Sequence, residues 1–463
     1  MPQSDDFVLP PGFRFGVATA GFQIEGGYNG PGEPANNWSW WEAEGRIEPS
    51  GIALDFWNQY ERAIAKAKEL GCDAFRLSIE WARCQPREDT TDDAAVDRYN
   101  SILDTIHDAG MQPLVTLHHF THPAWLGVDF WLRPDSPERF KAWVAAAVDK
   151  FSGRCRHWIT INEPNVLALQ SYFTGEFPPG RRFNTANVIR AIDNMLTAHV
   201  LAYEAIHERQ SQAVVSTNTY AFSIYELDRL LVDLLLARAN NVGRHDLKPW
   251  LTERREDFHA DAVLKPPLSE RALRRWAANV ITLEQAFPRA VAAVYDSPCR
   301  QTLDVVPIDF YDPVVSNRAK LGRLPEPKLW DDPPSPDGLR RWLSSNAELG
   351  LDLHIAENGL CNEVVRGRAN PRKDGWTRPR YLKANLSAVV DAIDAGLPVC
   401  SYYHWTLADN YEWGSYAPRF GIFGMDRERG VRWSDKDSMG DDAAAAYRRI
   451  IEALRAGDRS AVR

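Results

Sequence analysis

The stretch HWITINEPN, residues 157–165, decides how the rest of the chain is interpreted. Residues 158–161 are aromatic and β-branched, as in a short strand that is buried on both faces. Because proline cannot donate to a strand ladder, Pro164 ends this strand where Asn162 and Glu163 emerge. A carboxyl group at the carboxyl end of a buried strand occupies the place where α/β barrels carry their chemistry.

A second stretch, LDLHIAENG at residues 351–359, repeats this arrangement. It is a buried-type run that ends in Glu357, Asn358 and Gly359. A single glutamate at a strand end is a common structural feature. Two of them, each next to an asparagine, predict a pair of carboxyl groups that act as acid and base.

Strand-like runs recur along the chain and alternate with helical segments. The other predicted strands cover residues 13–20, 74–81, 113–120, 213–220, 304–311 and 398–405, and predicted helices cover 56–70, 96–109, 137–151 and 188–208. This alternation predicts a (β/α)8 TIM barrel with long βα loops, one of which covers residues 362–380. Leucines at residues 227–235, with a second helical segment at 269–295, predict a helical insertion between strands five and six.

No boundary is visible in the sequence, so residues 1–463 are predicted to form a single catalytic domain, with a frayed tail from about Ala456. The formal net charge of −9 argues against nucleic acid or an anionic membrane as a partner. No apolar run reaches the roughly 20 residues of a membrane span, and no secretory signal is recognisable. The six cysteines form no CxxC motif, which favours reduced thiols in a cytoplasmic protein.

The chain contains 17 tryptophans, and most are expected to pack in the core. Binding sites for small molecules also combine aromatic walls with a few polar groups, and sugar rings bind well against aromatic planes. The composition therefore fits an acidic, tryptophan-rich carbohydrate enzyme.

Five motifs give the chain a family resemblance. They are FGVATAGFQIEGG, TLHHF, TINEP, IAENG and WTLADNYEW, in this order along the sequence. In these motifs the chain resembles glycoside hydrolase family 1, the β-glucosidase family, over nearly its whole length. The resemblance implies a retaining β-glycosidase that hydrolyses β-D-glycosides by double displacement. A β-glucosidase is favoured, with β-galactosidase or β-fucosidase activity as further options.

The same resemblance implies the catalytic residues. Glu163 is expected to be the acid/base and Glu357 the nucleophile, with their carboxyl groups about 5–5.5 Å apart. Arg76 would lie beside Glu357 and keep it ionised, since a nearby positive charge lowers a carboxyl pKa. Tyr311 matches the tyrosine that hydrogen-bonds the nucleophile, and Asn162 belongs both to this group and to the sugar pocket.

The resemblance also implies a sugar pocket. Gln23 and Glu412 can each bind two neighbouring hydroxyl groups, and the indole of Trp405 offers a face to the ring. The implied substrate-binding residues are Gln23, His119, Trp330, Trp405, Glu412, Trp413 and Phe420, with Trp330 as the platform for the aglycone. His119 has two histidine neighbours, but their spacing is that of a strand end and no carboxylate cluster accompanies them. No metal and no cofactor are therefore expected.

Two branches of the family are disfavoured by the sequence. Members that act on 6-phosphoglycosides carry a serine and a lysine near the position of Glu412, and that pattern is absent here, so a neutral, non-phosphorylated pyranoside is expected. Glu163 stands where the thioglucosidase branch carries glutamine, which argues against that branch as well.

The chain also departs from the family pattern. The loop at residues 413–419 is one residue shorter than usual, which leaves the position of Phe420 open. Phe120 stands where many members carry tryptophan. In strand six, Pro307 and Asp309 replace a common glycine and asparagine, and that asparagine would lie close to both catalytic carboxyl groups.

Two further classes of function stay open. A transglycosidase would use the same glycosyl-enzyme intermediate with a sugar hydroxyl as acceptor in place of water. A non-catalytic carbohydrate-binding barrel is disfavoured by the presence of both glutamates and of Arg76. The long loops determine the aglycone, and neither its identity nor the oligomeric state follows from the sequence.

Overall fold

The predicted barrel is present in the structure, a computed structural model that describes residues 7–222, 224–260, 286–311, 334–427 and 431–463. Eight parallel strands close into a barrel in the order β1, β8, β7, β6, β5, β4, β3, β2. The strands are β1 Arg14–Ala18, β2 Ala74–Ser78, β3 Gln112–Thr116, β4 His157–Asn162, β5 Val214–Tyr220, β6 Val306–Asp309, β7 Leu353–Asn358 and β8 Val399–Trp405.

Several strands end earlier than their apolar runs predict. β3 ends at Thr116, four residues before the predicted end, and Phe120 has a φ of 63°, which is incompatible with a strand. β6 ends at Asp309, so Tyr311 lies in the loop beyond it. The reason is that residues 117–120 and Phe310 are buried in the loops at the top of the barrel and not in the sheet, and Tyr311 is half-buried there.

Helices surround the barrel, and the four that the sequence predicts outside the insertion are confirmed to within three residues at each end. The longer helices are α1 Phe56–Glu69, α2 Asp93–Asp108, α3 Ser136–Phe151, α4 Thr185–Arg209, α5 Arg229–Leu236, α6 Leu247–Ala260, α7 Pro288–Asp296, α8 Pro336–Ala347, α9 Arg378–Asp394 and α10 Ala443–Arg455. Side chains cap the N-termini of three of them: Asp92 accepts a hydrogen bond from the Ala95 backbone, Asn184 accepts one from the Asn187 backbone, and Thr377 accepts one from the Arg380 backbone.

The insertion between β5 and β6 is helical where it is described. α5 buries Leu230, Leu231, Leu234 and Leu235, in agreement with the leucine spacing. Of the second predicted segment, α7 covers the final part, and residues 261–285 lie outside the described residues.

The remaining short elements are helical turns and two hairpins. The turns are Gly21–Ile24, Ser39–Ala43, Trp81–Cys84, Ala124–Leu126, Phe130–Leu132, Pro164–Leu169, Gln170–Thr174, Arg244–Asp246 and Arg459–Val462. The antiparallel hairpins pair Glu363–Val365 with Arg368–Asn370, in the long loop after β7, and Met425–Asp426 with Arg432–Trp433.

The prediction of a frayed tail is wrong. The turn Arg459–Val462 packs against the body of the protein, with Val462 buried. Arg463 forms an ion pair with Asp391 on α9, at 2.7 Å between Nη2 and Oδ1. In the described part of the chain, none of the helices is long and apolar enough to cross a membrane.

Candidate active site

The carboxyl ends of four barrel strands bring the predicted catalytic residues together. β2 supplies Arg76, β4 supplies Asn162 and leads into Glu163, β6 ends in Asp309, and β7 supplies Glu357. The carboxyl ends of all strands in a closed parallel barrel lie at the same face, so residues that are far apart in sequence come together there.

Three carboxyl groups form the centre of this site. One oxygen from each of Glu163, Asp309 and Glu357 lies within 4.8 Å of the other two. The residues are buried, with exposed fractions of 5%, 0% and 4%. Within the described ranges, this is the one cluster of histidine, cysteine or acidic side chains with the geometry to hold a cation. The Arg76 guanidinium already lies against it, and the histidines at 118, 119 and 122 are not part of it.

Arg76 is fully buried, and its guanidinium is directed at Glu357. Nη1 donates to Glu357 Oε1 at 2.6 Å and to the Ala356 carbonyl at 3.1 Å. Nε donates to Thr116 Oγ1 at 3.2 Å, and Nη2 donates to Asn162 Oδ1. The same Nη1 is 3.9 Å from Asp309 Oδ1. The charge of Arg76 therefore acts mainly on one of the three carboxyl groups.

The two glutamates differ in their electrostatic surroundings. Burial raises the pKa of Glu357, while Arg76 and the Tyr311 hydroxyl, which donates to Oε2 at 2.6 Å, oppose that rise. The expected contact with Arg76 is present, but burial outweighs its effect on the pKa. Burial, then Asp309 and Glu357, raise the pKa of Glu163 well above its usual value. These surroundings favour ionisation of Glu357 before that of Glu163.

Glu163 lies at a sharp change of chain direction. Its φ of 40° falls in the left-handed region, which residues other than glycine rarely adopt. The turn is held by the Glu163 backbone N–H, which donates to the Asn218 carbonyl at 3.1 Å, and by Pro164, which begins the following helical turn. Backbone strain of this kind is common where a side chain must be aimed into a functional site.

Gln23 and Glu412, both predicted to bind the sugar, contact each other. Gln23 Nε2 donates to Glu412 Oε2 at 3.1 Å, to the Tyr411 carbonyl at 3.0 Å and to Asn410 Oδ1 at 3.3 Å. Burial and the nearby Glu357 raise the pKa of Glu412 to about 8. Near neutral pH this carboxyl group is therefore protonated, and it can both donate and accept hydrogen bonds.

Aromatic residues that are predicted to bind the sugar also lie close to one another. His119 stacks between Trp405 and Trp413, with ring centroids 5.8 and 5.7 Å apart. Its Nε2 is 3.3 Å from Asn162 Nδ2, and burial and Arg76 lower the pKa of His119 well below its usual value, so the ring is neutral. Phe420 meets Tyr311 edge to face at 5.8 Å, so the shorter loop before it does not remove it from the site.

One predicted residue cannot be located, and one residue was missed. Trp330 lies outside the described residues. Asn218, on β5, was not predicted, yet its amide donates to Asn162 Oδ1 at 2.7 Å and to Asp309 Oδ2. The signal that could have found it is a lone amide within the otherwise buried run AVVSTNTY.

Pro307 does not turn Asp309 away from the site. β6 keeps its pairing on both sides, with Asp309 opposite Glu357 on β7 and opposite Tyr220 on β5.

The glycine that ends the IAENG motif, Gly359, is required by close packing. A Cβ at this position would lie 2.0 Å from the Trp405 carbonyl oxygen. Only glycine allows the ends of β7 and β8 to approach this closely.

Comparisons with known proteins agree with this fold. The family model Glycosyl hydrolase family 1 matches residues 5–250 and 318–453. The chain is 29% identical over 458 residues to 6-phospho-beta-galactosidase 1 from Streptococcus pneumoniae, covering 93% of this chain and 97% of that protein. It is 27% identical over 447 residues to beta-glucosidase A from Thermotoga maritima, covering 90% of this chain and 93% of that protein.

Solved structures show the same architecture. A beta-glucosidase from Thermotoga maritima in complex with noeuromycin superposes with a TM-score of 0.72 at 24% identity, over 96% of this chain and 98% of that one. A beta-glycosidase from Pyrococcus horikoshii gives a TM-score of 0.70 at 24% identity, over 98% and 96% of the two chains.

The fold and the match to the family model together define a glycoside hydrolase built on a (β/α)8 barrel. The chain belongs to glycosyl hydrolase family 1.

Proposed function

We propose that this enzyme is a retaining β-glycosidase that hydrolyses non-phosphorylated β-D-glycosides, β-glucosides first among them. One observation carries the proposal: two buried carboxyl groups, Glu163 and Glu357, have oxygens within 4.8 Å of each other, and only Glu357 accepts hydrogen bonds from Arg76 and Tyr311. Retaining enzymes place their carboxyl groups about 5–5.5 Å apart, whereas inverting enzymes leave about 6.5–9.5 Å for a water molecule. The spacing here supports retention.

In the first step, a carboxylate oxygen of Glu357 attacks the anomeric carbon while Glu163 protonates the departing glycosidic oxygen. The C–O bond to the aglycone breaks, and an ester to Glu357 forms through an oxocarbenium-like transition state. Arg76 and Tyr311, each 2.6 Å from an oxygen of Glu357, keep the nucleophile ionised and fix its orientation. Burial and the nearby Asp309 and Glu357 raise the pKa of Glu163, which keeps the acid protonated.

In the second step, water attacks the anomeric carbon and Glu163, now ionised, accepts its proton. The Glu357 ester breaks, and the sugar leaves with its original β configuration. The same intermediate could pass to a sugar hydroxyl, which is the transglycosidase alternative. Products formed with and without an added alcohol acceptor separate the two, since a transglycosidase converts most of the donor into the alkyl glycoside.

The proposed preference for a neutral sugar rests on Gln23 and Glu412. Their side chains contact each other in a partly buried position, with a carboxyl group where a phosphate-binding site would need a cation. The similarity to a 6-phospho-beta-galactosidase makes a phosphorylated substrate the second candidate. The test compares kcat/KM for 4-nitrophenyl β-glucoside, β-galactoside, β-fucoside and β-galactoside 6-phosphate. We expect the neutral glucoside to be preferred, and preference for the 6-phosphate would overturn this part of the proposal.

Retention through Glu357 is tested by trapping the intermediate. A 2-deoxy-2-fluoro-β-glucoside with a good leaving group should inactivate the enzyme with time, and peptide mass spectrometry should find the label on Glu357. Glu357→Gln is the matched control and should take up no label. A label on another residue, or an α-configured first product in the NMR spectrum, would contradict the assignment.

We further propose that residues 1–463 work as one catalytic domain without a cofactor, in the cytoplasm. The six unpaired cysteines are consistent with a reducing compartment.

A further inference from the structure

The third carboxyl group of the site, Asp309, has no part in the two-step scheme. It is fully buried at the end of β6, within 4.8 Å of both glutamates. We propose that Asp309 and Glu163 bind one proton between them, and that Asp309 is thereby a positioning residue that keeps the acid/base loaded. This inference rests on the roles proposed above for Glu163 and Glu357.

The balance of charge around Asp309 is the first argument. The groups that interact with it are Arg76 from β2, Glu163 after β4, the Asn218 amide from β5, Glu357 from β7 and the Tyr311 hydroxyl beyond β6. Arg76 is the one cation among them. Its Nη1 is 2.6 Å from Glu357 and 3.9 Å from Asp309, so the positive charge is largely matched by Glu357. The remaining two carboxyl groups cannot both carry a charge in a buried site without a large penalty.

The pattern of hydrogen bonds is the second argument. Among the described residues, Asp309 Oδ1 and Glu163 Oε1 are both buried without a hydrogen-bond donor. The two side chains lie within hydrogen-bonding reach of each other, so a single proton between them supplies a donor. The Asn218 amide donates to the other oxygen of Asp309, which stabilises the charged form of Asp309. The proton therefore belongs to Glu163, whose O–H is directed at Asp309.

This arrangement affects both chemical steps. Before the reaction, a charged Asp309 opposes ionisation of Glu163 and keeps the acid protonated to higher pH. When the proton moves to the glycosidic oxygen, the charge lost by Glu357 on ester formation appears on Glu163, next to Asp309. That repulsion makes ionised Glu163 a stronger base toward the attacking water. The asparagine that the family commonly has here carries no charge and would give neither effect.

The test is the pH dependence of Asp309→Asn. With an alkyl or weakly activated aryl glucoside, whose departure needs the acid, the alkaline limb of kcat/KM should move down by about one pH unit or more, while activity near the optimum persists. With a 2,4-dinitrophenyl glucoside, whose departure needs little acid, the limb should move much less. Asp304→Asn is the matched control, since Asp304 lies just before the start of β6, at the end of the strand away from the site. The alkaline limb of kcat/KM for this variant should stay at the wild-type pH.

An infrared titration without substrate tests the shared proton directly. At pH 7 the wild-type spectrum should contain the C=O band of a protonated carboxyl group. This band should be missing in Glu163→Gln. In Asp309→Asn it should disappear at a lower pH than it does in the wild type. The bands of Glu80 and Glu412 are common to all three proteins and cancel in the differences.

The infrared result does not depend on activity, so an error in the proposed function and an error in this inference give different outcomes. A band that is unchanged in both variants overturns the inference. An alkaline limb that does not move in Asp309→Asn overturns it as well.

Discussion

Glu163 and Glu357 have the same side chain, and their surroundings differ in the way that the proposed roles of acid/base and nucleophile require. Glu357 accepts hydrogen bonds from Arg76 and Tyr311, both at 2.6 Å. Glu163 faces Asp309 and Glu357, and its Oε1 is buried without a donor from any residue that the structure describes. At the scale of the residue, function therefore depends on which neighbours a carboxyl group has, and the predictions for single side chains follow from these contacts.

Glu163→Ala should remove acid assistance in the first step and base assistance in the second. Substrates with poor leaving groups should lose far more kcat/KM than 2,4-dinitrophenyl glucoside, because only the former need the proton. Added azide should restore turnover and give the β-glycosyl azide, identified by NMR. Glu357→Ala is the control, and azide should give the α-glycosyl azide there. Equal losses for all leaving groups, without any azide product, would show that Glu163 is not the acid/base.

Glu412→Ala should lower kcat/KM for the best glucoside by on the order of 2–4 kcal/mol, or roughly 30- to 1,000-fold. The reason is that a half-buried hydrogen-bonding group, proposed to hold the sugar, is lost and Gln23 Nε2 loses an acceptor. Glu452→Ala, on the exposed face of α10, is the control and should be kinetically silent. Kinetics of Glu412→Ala within twofold of the wild type would mean that the sugar does not reach Glu412.

At the scale of the element, the carboxyl ends of the strands also carry buried acids outside the pocket. Glu80 follows β2 and joins it to the loop after β3, since its oxygens accept from Ser78 Oγ at 2.8 Å and from Thr121 Oγ1 at 2.6 Å. Burial and the nearby Glu25 raise the pKa of Glu80 to about 7. The loops that frame the site are thus tied together by a group that titrates near neutral pH.

This pKa predicts a pH-dependent stability. A carboxyl group with a raised folded-state pKa stabilises the fold fully below its unfolded pKa, near 4.5, and this contribution is lost as pH rises through 7. Relative to the wild type, Glu80→Gln should therefore gain up to about 3 kcal/mol in free energy of unfolding between pH 4.5 and 8. Urea unfolding across this range measures the gain. Glu61→Gln, on the exposed side of α1, should show no trend, and an equal trend in both variants would refute the assignment to Glu80.

At the scale of the whole molecule, barrel closure buries most of the thiols. Cys72, Cys84, Cys155 and Cys361 are buried, Cys299 and Cys400 are half-buried, and none is paired. Burial raises the pKa of Cys155 and Cys400 to about 12. Thiolate, the reactive form, is therefore scarce in the folded protein.

A thiol titration tests this burial. In guanidinium chloride all six cysteines should react with a disulfide reagent, whereas the folded protein at pH 8 should expose at most Cys299 and Cys400, and those slowly. The melting temperature should be the same with and without a reducing agent. Rapid reaction of more than two thiols in the folded protein would contradict the described packing.

The sequence by itself determined the barrel and the two glutamates. Parallel strands buried on both faces appear as continuous apolar runs, and their order with the helices between them allows few other folds. Motif residues such as Glu163, Glu357 and Arg76 follow from local sequence. Strand ends were less predictable, as at Phe120, because the same apolar residues can be buried in a loop above the sheet.

Only the tertiary structure decided how these residues interact. His119 stacks between Trp405 and Trp413, and Asp309 meets Glu163 and Glu357, because the closed barrel brings distant strand ends to one point. The order in which the three carboxyl groups ionise depends on burial and on distances of a few ångströms to Arg76, Tyr311 and Asn218. Such distances are set by packing across the whole barrel, and no local pattern of residues encodes them.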